Sequence, residues 1–260
     1  MAIPDILAID FDGVLCDGMA EYFETSRRTC VKAWPREKAP GDALLPAFRR
    51  LRPVIFTGWE MPLLLRAIAG GQAEVDILRN WAGVRDHELE AEPAHELKNL
   101  LTHTLDDTRR EWIAANRADW IARNVPYCGL DELRRLVGEP ERAVLVTTKE
   151  GEFARLILDD WGVKLADIQG KEAGTHKCDN LRALIAAYTT SHGRRPRVWF
   201  IEDRLETLEH VTTHPDLEDV DLFLAAWGYN TPETRARAQA SQRVRLLELD
   251  QFRRGLTAWT

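Results

Sequence analysis

The chain lacks long apolar runs, clustered cysteines and an excess of positive charge, and each absence excludes a class of protein. No apolar stretch approaches the roughly 18 residues of a membrane span, and no basic segment followed by an apolar one opens the chain, so neither an anchor nor a secretory leader is expected. The four cysteines, Cys16, Cys30, Cys128 and Cys178, have no CxxC spacing and no nearby histidine pairs. That argues against a disulfide framework or a zinc site and for reduced thiols in a cytoplasmic protein. The seven histidines form no ligand-like pair in the sequence; only His176 stands out, because it adjoins Lys177. A net charge of -7 leaves no basic surface for nucleic acid or anionic lipid. Internal repeats, low-complexity tracts and long linkers are missing too.

What is present has the composition of a soluble globular protein, 45% hydrophobic and 30% charged over 260 residues. Ile6-Leu7-Ala8-Ile9 reads as a buried strand that stops at Asp10-Phe11-Asp12-Gly13, where a glycine permits a sharp turn. A helix is expected from about Met19 to Trp34, ended by Pro35. From Ala43 to about Gly138 helix signals recur and strand signals are nearly missing: Leu44 to Leu51, Met61 to Ala69, Ala94 to Leu105 and Asp107 to Arg123 each carry an apolar face. Five of the nine tryptophans lie between residues 34 and 120 and suit the thin core of a small helical bundle.

Strand signals resume at Arg142-Ala143-Val144-Leu145-Val146-Thr147. Further strands are expected near Val163 to Ile168, at Arg197 to Ile201 and at Val220 to Ala226, the last clear strand, with helices between them. The alternation predicts an α/β core, a Rossmann-like parallel sheet with right-handed crossovers. Residues 1–17 and 127–260 would form this core, and residues 18–126, too long for a loop, an inserted all-helical cap acting as a lid.

Three strands end in complementary polar residues: Asp10 and Asp12, then Thr147-Thr148-Lys149, then Glu202-Asp203, with Lys177 at a helix start. Neighbouring parallel strands would bring these groups to one crevice at the carboxyl edge. That collection suits phosphoryl transfer. Asp10 can act as nucleophile and Asp12, two residues on, as acid and then base. Mg²⁺ prefers carboxylate and water oxygens, which Asp10, Asp203 and the backbone carbonyl of Asp12 offer, with Glu202 holding a bound water. Thr147 can donate to a phosphoryl oxygen, and Lys177 supplies a point charge to the phosphate and Asp10. Beside Mg²⁺ and Lys177, Asp10 is expected to stay ionised, whereas Asp12 must be able to hold a proton when the leaving group departs. Gly13 and Thr148 are further candidate substrate contacts. Lys171 competes with Lys177 for the lysine role, and helix-start context favours Lys177. Lys149 reads as a solvated residue opening the next helix, with contact to phosphate or to the acidic pair as the alternative.

These residues resemble the haloacid-dehalogenase superfamily of hydrolases. Its four motifs are a strand ending DxD, a strand ending in Thr or Ser, a later lysine and a strand ending in an acidic pair; they correspond to Asp10-Phe11-Asp12-Gly13, Leu145-Val146-Thr147, Lys177 and Ile201-Glu202-Asp203. Asp12-Gly13-Val14-Leu15-Cys16-Asp17 and the re-entry at Tyr127-Cys128-Gly129-Leu130 are similar to the phosphoglycolate-phosphatase-like and β-phosphoglucomutase-like subgroup. There are departures: Cys128-Gly129 stands where Pro-Gly is usual, Cys178 where proline usually follows the lysine, and the cap is longer. The resemblance implies a Mg²⁺-dependent phosphatase working through phospho-Asp10 on a small phosphorylated metabolite, as a monomer or homodimer. A phosphomutase would use the same acids, and a catalytically silent binding module is a rival of another class; a true dehalogenase would not need Asp12.

In the cap segment, Thr57, Gly58, Trp59 and Glu60 lie between two prolines and are candidates for substrate selection. A helix start with Trp59 in the cap core explains them equally well.

Overall fold

The structure, a computed structural model, describes residues 3–89, 94–174 and 176–259. It divides into two compact units, Gly18–Asn124 and the combination of Met1–Asp17 with Val125–Thr260. Among the described residues no helix is long and apolar enough to cross a membrane.

The smaller unit is built of helices: α1 (Met19–Ala33), α2 (Leu45–Leu51), α3 (Glu60–Ala69), α4 (Glu74–Arg79), α5 (Trp81–Leu89) and α6 (Ala94–Ala122). Helix α1 packs against α3 and α6, with Tyr22, Phe23, Phe48, Leu63, Leu64, Leu101, Trp112 and Trp120 buried. Phe23 and Phe48 meet edge to face, with ring centroids 5.7 Å apart. Trp81, Trp112 and Trp120 are core residues as expected, whereas Trp34 and Trp59 are half-buried. The two helices expected to part near residue 106 are continuous there. The break lies at Asn116, whose backbone is extended (φ -159°, ψ 81°) and whose side-chain oxygen accepts the Asp119 N–H at 3.0 Å, so the asparagine caps the last turns.

One charged group lies at the centre of this unit. Glu21, fully buried, accepts from Thr25 (2.6 Å), from the Arg109 Nε (2.8 Å) and Nη2 (3.3 Å), and from the indole N–H of Trp120 (3.2 Å). A buried carboxylate persists only when its lone pairs are met in this way.

The larger unit holds β1 (Ile6–Ile9), β2 (Cys16–Asp17), β3 (Val125–Pro126), β4 (Arg142–Val146), β5 (Asp167–Gln169), β6 (Val198–Glu202), β7 (Asp221–Ala225) and β8 (Val244–Leu247). The short strands β2 and β3 pair antiparallel where the chain leaves and re-enters this unit. The other six form one parallel sheet in the order β5-β4-β1-β6-β7-β8. Helices α7 (Leu130–Gly138), α8 (Gly151–Asp160), α9 (Lys177–His192), α10 (Leu205–Thr212), α11 (Pro232–Ala240) and α12 (Leu249–Arg254) complete it. Alternate residues of the strands face opposite ways. Ile6, Ala8, Val144, Val146, Val198 and Phe200 share a core with Leu181, Leu184 and Leu208. Trp199 and Phe223 point the other way and cluster with Trp259. A sheet covered on both faces explains why its central strands read as unbroken apolar runs.

Two sequence expectations need correction. The strand placed near Val163 to Ile168 is Asp167–Gln169, and a sixth strand, β8, follows the segment taken as the last. Strand β8 lies at the sheet edge with Arg245 exposed, so its apolar signal is diluted.

Candidate active site

Strand β1 sits between β4 and β6, with Ile9 in register with both Leu145 and Ile201. The residues following those three positions therefore emerge side by side at the carboxyl edge, on either side of the point where the strand order reverses. Such a crevice is the usual ligand site of a doubly wound sheet. The fold brings Asp10, Asp12, Thr147, Lys177, Glu202 and Asp203 together here, with Gly13 beneath.

Lys177, at the start of α9, is the hub: its ammonium lies 2.9 Å from Asp10 and 2.6 Å from Glu202. Burial alone would lower its pKa, but the two carboxylates overcome that and raise it, so the lysine stays charged. Both oxygens of Glu202 are engaged. One accepts from Lys177, and the other accepts the Asp203 N–H at 2.5 Å and the Arg204 N–H at 2.9 Å. Burial works against ionisation of Glu202, yet Lys177 and these hydrogen bonds hold its carboxyl below the usual range.

Asp10 behaves differently. Burial pushes its carboxyl up to about 7; Lys177 opposes that, while Glu202 and Asp12 add to it. In the chain alone burial thus works against ionisation of Asp10, and Lys177, shared with Glu202, only partly offsets it. Four carboxylates, Asp10, Asp12, Glu202 and Asp203, face the ammonium groups of Lys177 and Lys149, two negative charges in excess when all are ionised. Oxygens of Asp10, Glu202 and Asp203 lie within 4.8 Å of one another. Hard oxygen donors with that charge excess suit a divalent cation of the Mg²⁺ type. With Glu202 already engaged, Asp10 and Asp203 are the residues that could hold it.

Asp203 is held by a backbone cradle that was not anticipated. Its carboxylate accepts the Tyr229 N–H at 2.7 Å, and Asn230 donates to its carbonyl at 3.0 Å. A Cβ on Gly13 would fall 2.1 Å from the Asp203 carboxylate, and one on Gly228 would fall 2.3 Å from the Asp203 Cβ and 2.7 Å from the Gly13 carbonyl. Gly13 also has φ +84°, so both its conformation and its surroundings require glycine. The signal in the sequence was Gly228-Tyr229-Asn230 just after the β7 run, a turn at the same sheet edge.

Lys149 is the second correction. It is buried, not solvated; its ammonium reaches Asp12 at 3.2 Å and lies 5.7 Å from the centre of the Phe11 ring. The lysine sits three residues beyond β4, so it returns to the strand ends where Asp12 stands. Its N–H also donates to the Thr147 hydroxyl at 3.2 Å. Thr147 is buried and Thr148 exposed.

Thr57, Gly58, Trp59 and Glu60 belong to the helical unit, at the start of α3. Glu60 is buried; one oxygen accepts the N–H of Phe56 (2.7 Å) and Thr57 (3.3 Å), and the other meets Arg85 at 3.1 Å. Its carboxylate is therefore engaged inside that unit, holding the turn that leads into α3. Thr57 is exposed, Gly58 and Trp59 are half-buried, and Lys98 lies 5.5 Å from the Trp59 ring centre.

The view that the histidines form no pair also changes. His210 and His214 bring their Nε2 atoms to 3.5 Å, and both come close to Cys178. Four-residue spacing across a helix end puts the two rings on one side.

Neither a scan against protein-family models nor a search of curated proteins finds a match. Solved structures do match over almost the whole chain. A predicted phosphoglycolate phosphatase from Haemophilus somnus 129pt is 11% identical, with 96% of each chain covered and a TM-score of 0.61. A haloacid dehalogenase-like family hydrolase from Streptococcus pneumoniae is 12% identical, with 95% of each covered and a TM-score of 0.56. Protein Tyrosine Kinase A from Mycobacterium tuberculosis is 19% identical, with 98% of each covered and a TM-score of 0.58. Differently named activities share this architecture, so the likeness speaks for fold. With its parallel sheet and helical insertion, the chain has the fold of the haloacid dehalogenase-like hydrolases.

Proposed function

We propose that the chain is a Mg²⁺-dependent phosphatase that hydrolyses a small phosphorylated metabolite through a phosphorylated Asp10. The observation that carries this reading is the meeting of Asp10, Asp12, Thr147 and Asp203, at the ends of adjacent parallel strands, with Lys177 at the start of α9. A carboxylate oxygen of Asp10 attacks phosphorus, the P–O bond to the leaving group breaks, and Asp12 gives that oxygen a proton. Asp12 then takes a proton from water as the water attacks the phosphoryl group and frees Asp10. Thr147 donates to a phosphoryl oxygen, and Lys177 keeps Asp10 aligned while offsetting charge on the transferring group. Asp10 and Asp203, with the backbone carbonyl of Asp12, would hold Mg²⁺, which when bound supplies Lewis-acid stabilisation of the phosphoryl oxygens and draws the Asp10 carboxyl toward its ionised form.

The test is hydrolysis of an aryl phosphate by the purified chain and by Asp10→Asn. The native protein should turn over, lose activity in EDTA and regain it with Mg²⁺, and yield a hydroxylamine-trappable acyl phosphate on Asp10. Retained hydrolysis in Asp10→Asn would refute the nucleophile. A panel of phosphorylated metabolites with product analysis then separates hydrolysis from return of the phosphoryl group to a sugar.

A further inference from the structure

A second cluster in the sheet unit has donors of another kind. Cys178 lies in the first turn of α9, His210 in the last turn of α10, and His214 just before a 3-10 turn at Pro215–Leu217. The Thr213 N–H donates to the His210 carbonyl and the His214 N–H to the Val211 carbonyl, both at 3.1 Å, so tight turning continues past α10 and keeps the two imidazoles together. Their ring centroids are 4.9 Å apart and their planes 82° apart. Cys178 is anchored in the core alongside Leu208, Val211 and Leu217, which fixes α9 against this helix end. One donor atom from each of the three residues lies within 4.8 Å of the other two.

We propose that Cys178, His210 and His214 form a binding site for a borderline-soft divalent cation of the zinc class. The Nε2 atoms are 3.5 Å apart; with Zn–N bonds of about 2.05 Å, that separation subtends an angle of about 117° at a shared metal, near the tetrahedral value. A tetrahedral S–Zn–N pair spans about 3.6 Å, and the Cys178 sulfur already lies within 4.8 Å of one ring nitrogen of each histidine, so closing the sulfur side is within reach of side-chain rotation. The thiol gives up its proton as the Zn–S bond forms. Cys178 is buried, His214 half-buried and His210 exposed, so the cation has a path in and an open side for a water ligand. Arg182 stands nearby, but Asp179 (2.8 Å) and Asp216 (2.6 Å) pair with its guanidinium, so no uncompensated cation repels the metal. Thiolate and imidazole select zinc, whereas the carboxylates around Asp203 select Mg²⁺, so the two clusters sort metals by donor softness.

The test uses the full chain stripped of transition metals and kept in excess Mg²⁺. One equivalent of Co²⁺ should give thiolate-to-metal charge-transfer absorption and the d–d bands of a tetrahedral site, both displaced by one equivalent of Zn²⁺. Cys178→Ser should abolish the charge-transfer band. His210→Gln and His214→Gln should weaken Zn²⁺ binding in calorimetry by more than the roughly 10–100-fold seen on losing an outer-shell partner. Asp203→Asn should leave band and affinity unchanged. His210 is exposed, so its variant tests the site without disturbing the core. Absence of the band, its survival in Cys178→Ser, or unchanged affinity in both histidine variants would overturn the proposal.

Discussion

Replacing Lys177 by methionine removes the one ammonium shared by Asp10 and Glu202 while keeping most of the apolar stem. Methionine also recovers the cost of burying a cation, so the full Coulomb energy is not lost. The variant can relieve the unpaired charge by taking up a proton, and that sets the size of the effect. Both acids lose a partner: Asp10, whose carboxyl burial pushes up to about 7 even beside the lysine, rises further, and Glu202 loses the charge that helps to hold it below its ordinary 4.5, so Glu202 sets a minimum for the cost. Neutralising a carboxyl costs about 1.36 kcal/mol per pH unit above its unfolded pKa: about 4 kcal/mol near pH 7.5 and about 1 kcal/mol near pH 5.5. In the native chain the lowered Glu202 contributes stability above pH 4.5 that is lost as pH falls through its folded value. In the variant a raised Glu202 penalises the fold increasingly as pH climbs. The deficit must therefore open with rising pH. Urea unfolding in EDTA at the two pH values, followed by tryptophan emission and far-ultraviolet dichroism, measures it. A deficit below about 1 kcal/mol near neutral pH, or one equal at both pH values, would refute the shared-lysine argument.

Three further outcomes follow from particular contacts. Glu21→Gln removes the nearer of two carboxylates facing the buried Arg109, leaving Asp106 at 3.6 Å, and should destabilise the helical unit by about 3 kcal/mol in denaturant titration. Glu60→Ala removes the acceptor of the Phe56 and Thr57 N–H groups and one of two carboxylates facing Arg85, Asp86 remaining at 2.8 Å; a loss of about 1–3 kcal/mol is expected by thermal unfolding, with relative kcat/KM across a phosphate-ester panel unchanged. Altered selectivity there would instead support a substrate role. Gly228→Ala would drive a methyl into Asp203 and the Gly13 carbonyl, so Mg²⁺ affinity and kcat/KM should each fall at least about 10-fold while far-ultraviolet dichroism is retained.

Residues whose surroundings are set by their own neighbours were legible early. The apolar runs of β1, β4, β6 and β7 needed no long-range information, because a strand covered on both faces must be apolar at every position. The polar residues ending those runs marked the site. Lys149 was misread because its burial depends on the return of its side chain toward Asp12, 137 residues away in sequence. Glu60 had a charged residue's pattern but is buried because the Phe56 and Thr57 N–H groups and Arg85 satisfy it. Strand β8 hid because an edge strand shows apolar residues on fewer positions.

Sequence alone determined the strand order of chemistry: Asp10 and Asp12, then Thr147, Lys177, Glu202 and Asp203, each at the end of an element that local patterning could define. Only the tertiary structure decided how charge is shared among them, because that depends on distances of a few ångströms between strands far apart in the chain. It set Lys177 between two acids, gave Asp203 its cradle of Gly13, Gly228 and Tyr229, and brought Cys178 to His210 and His214. None of these pairings leaves a periodic trace, since each follows from packing α9, α10 and the β7 turn onto one sheet.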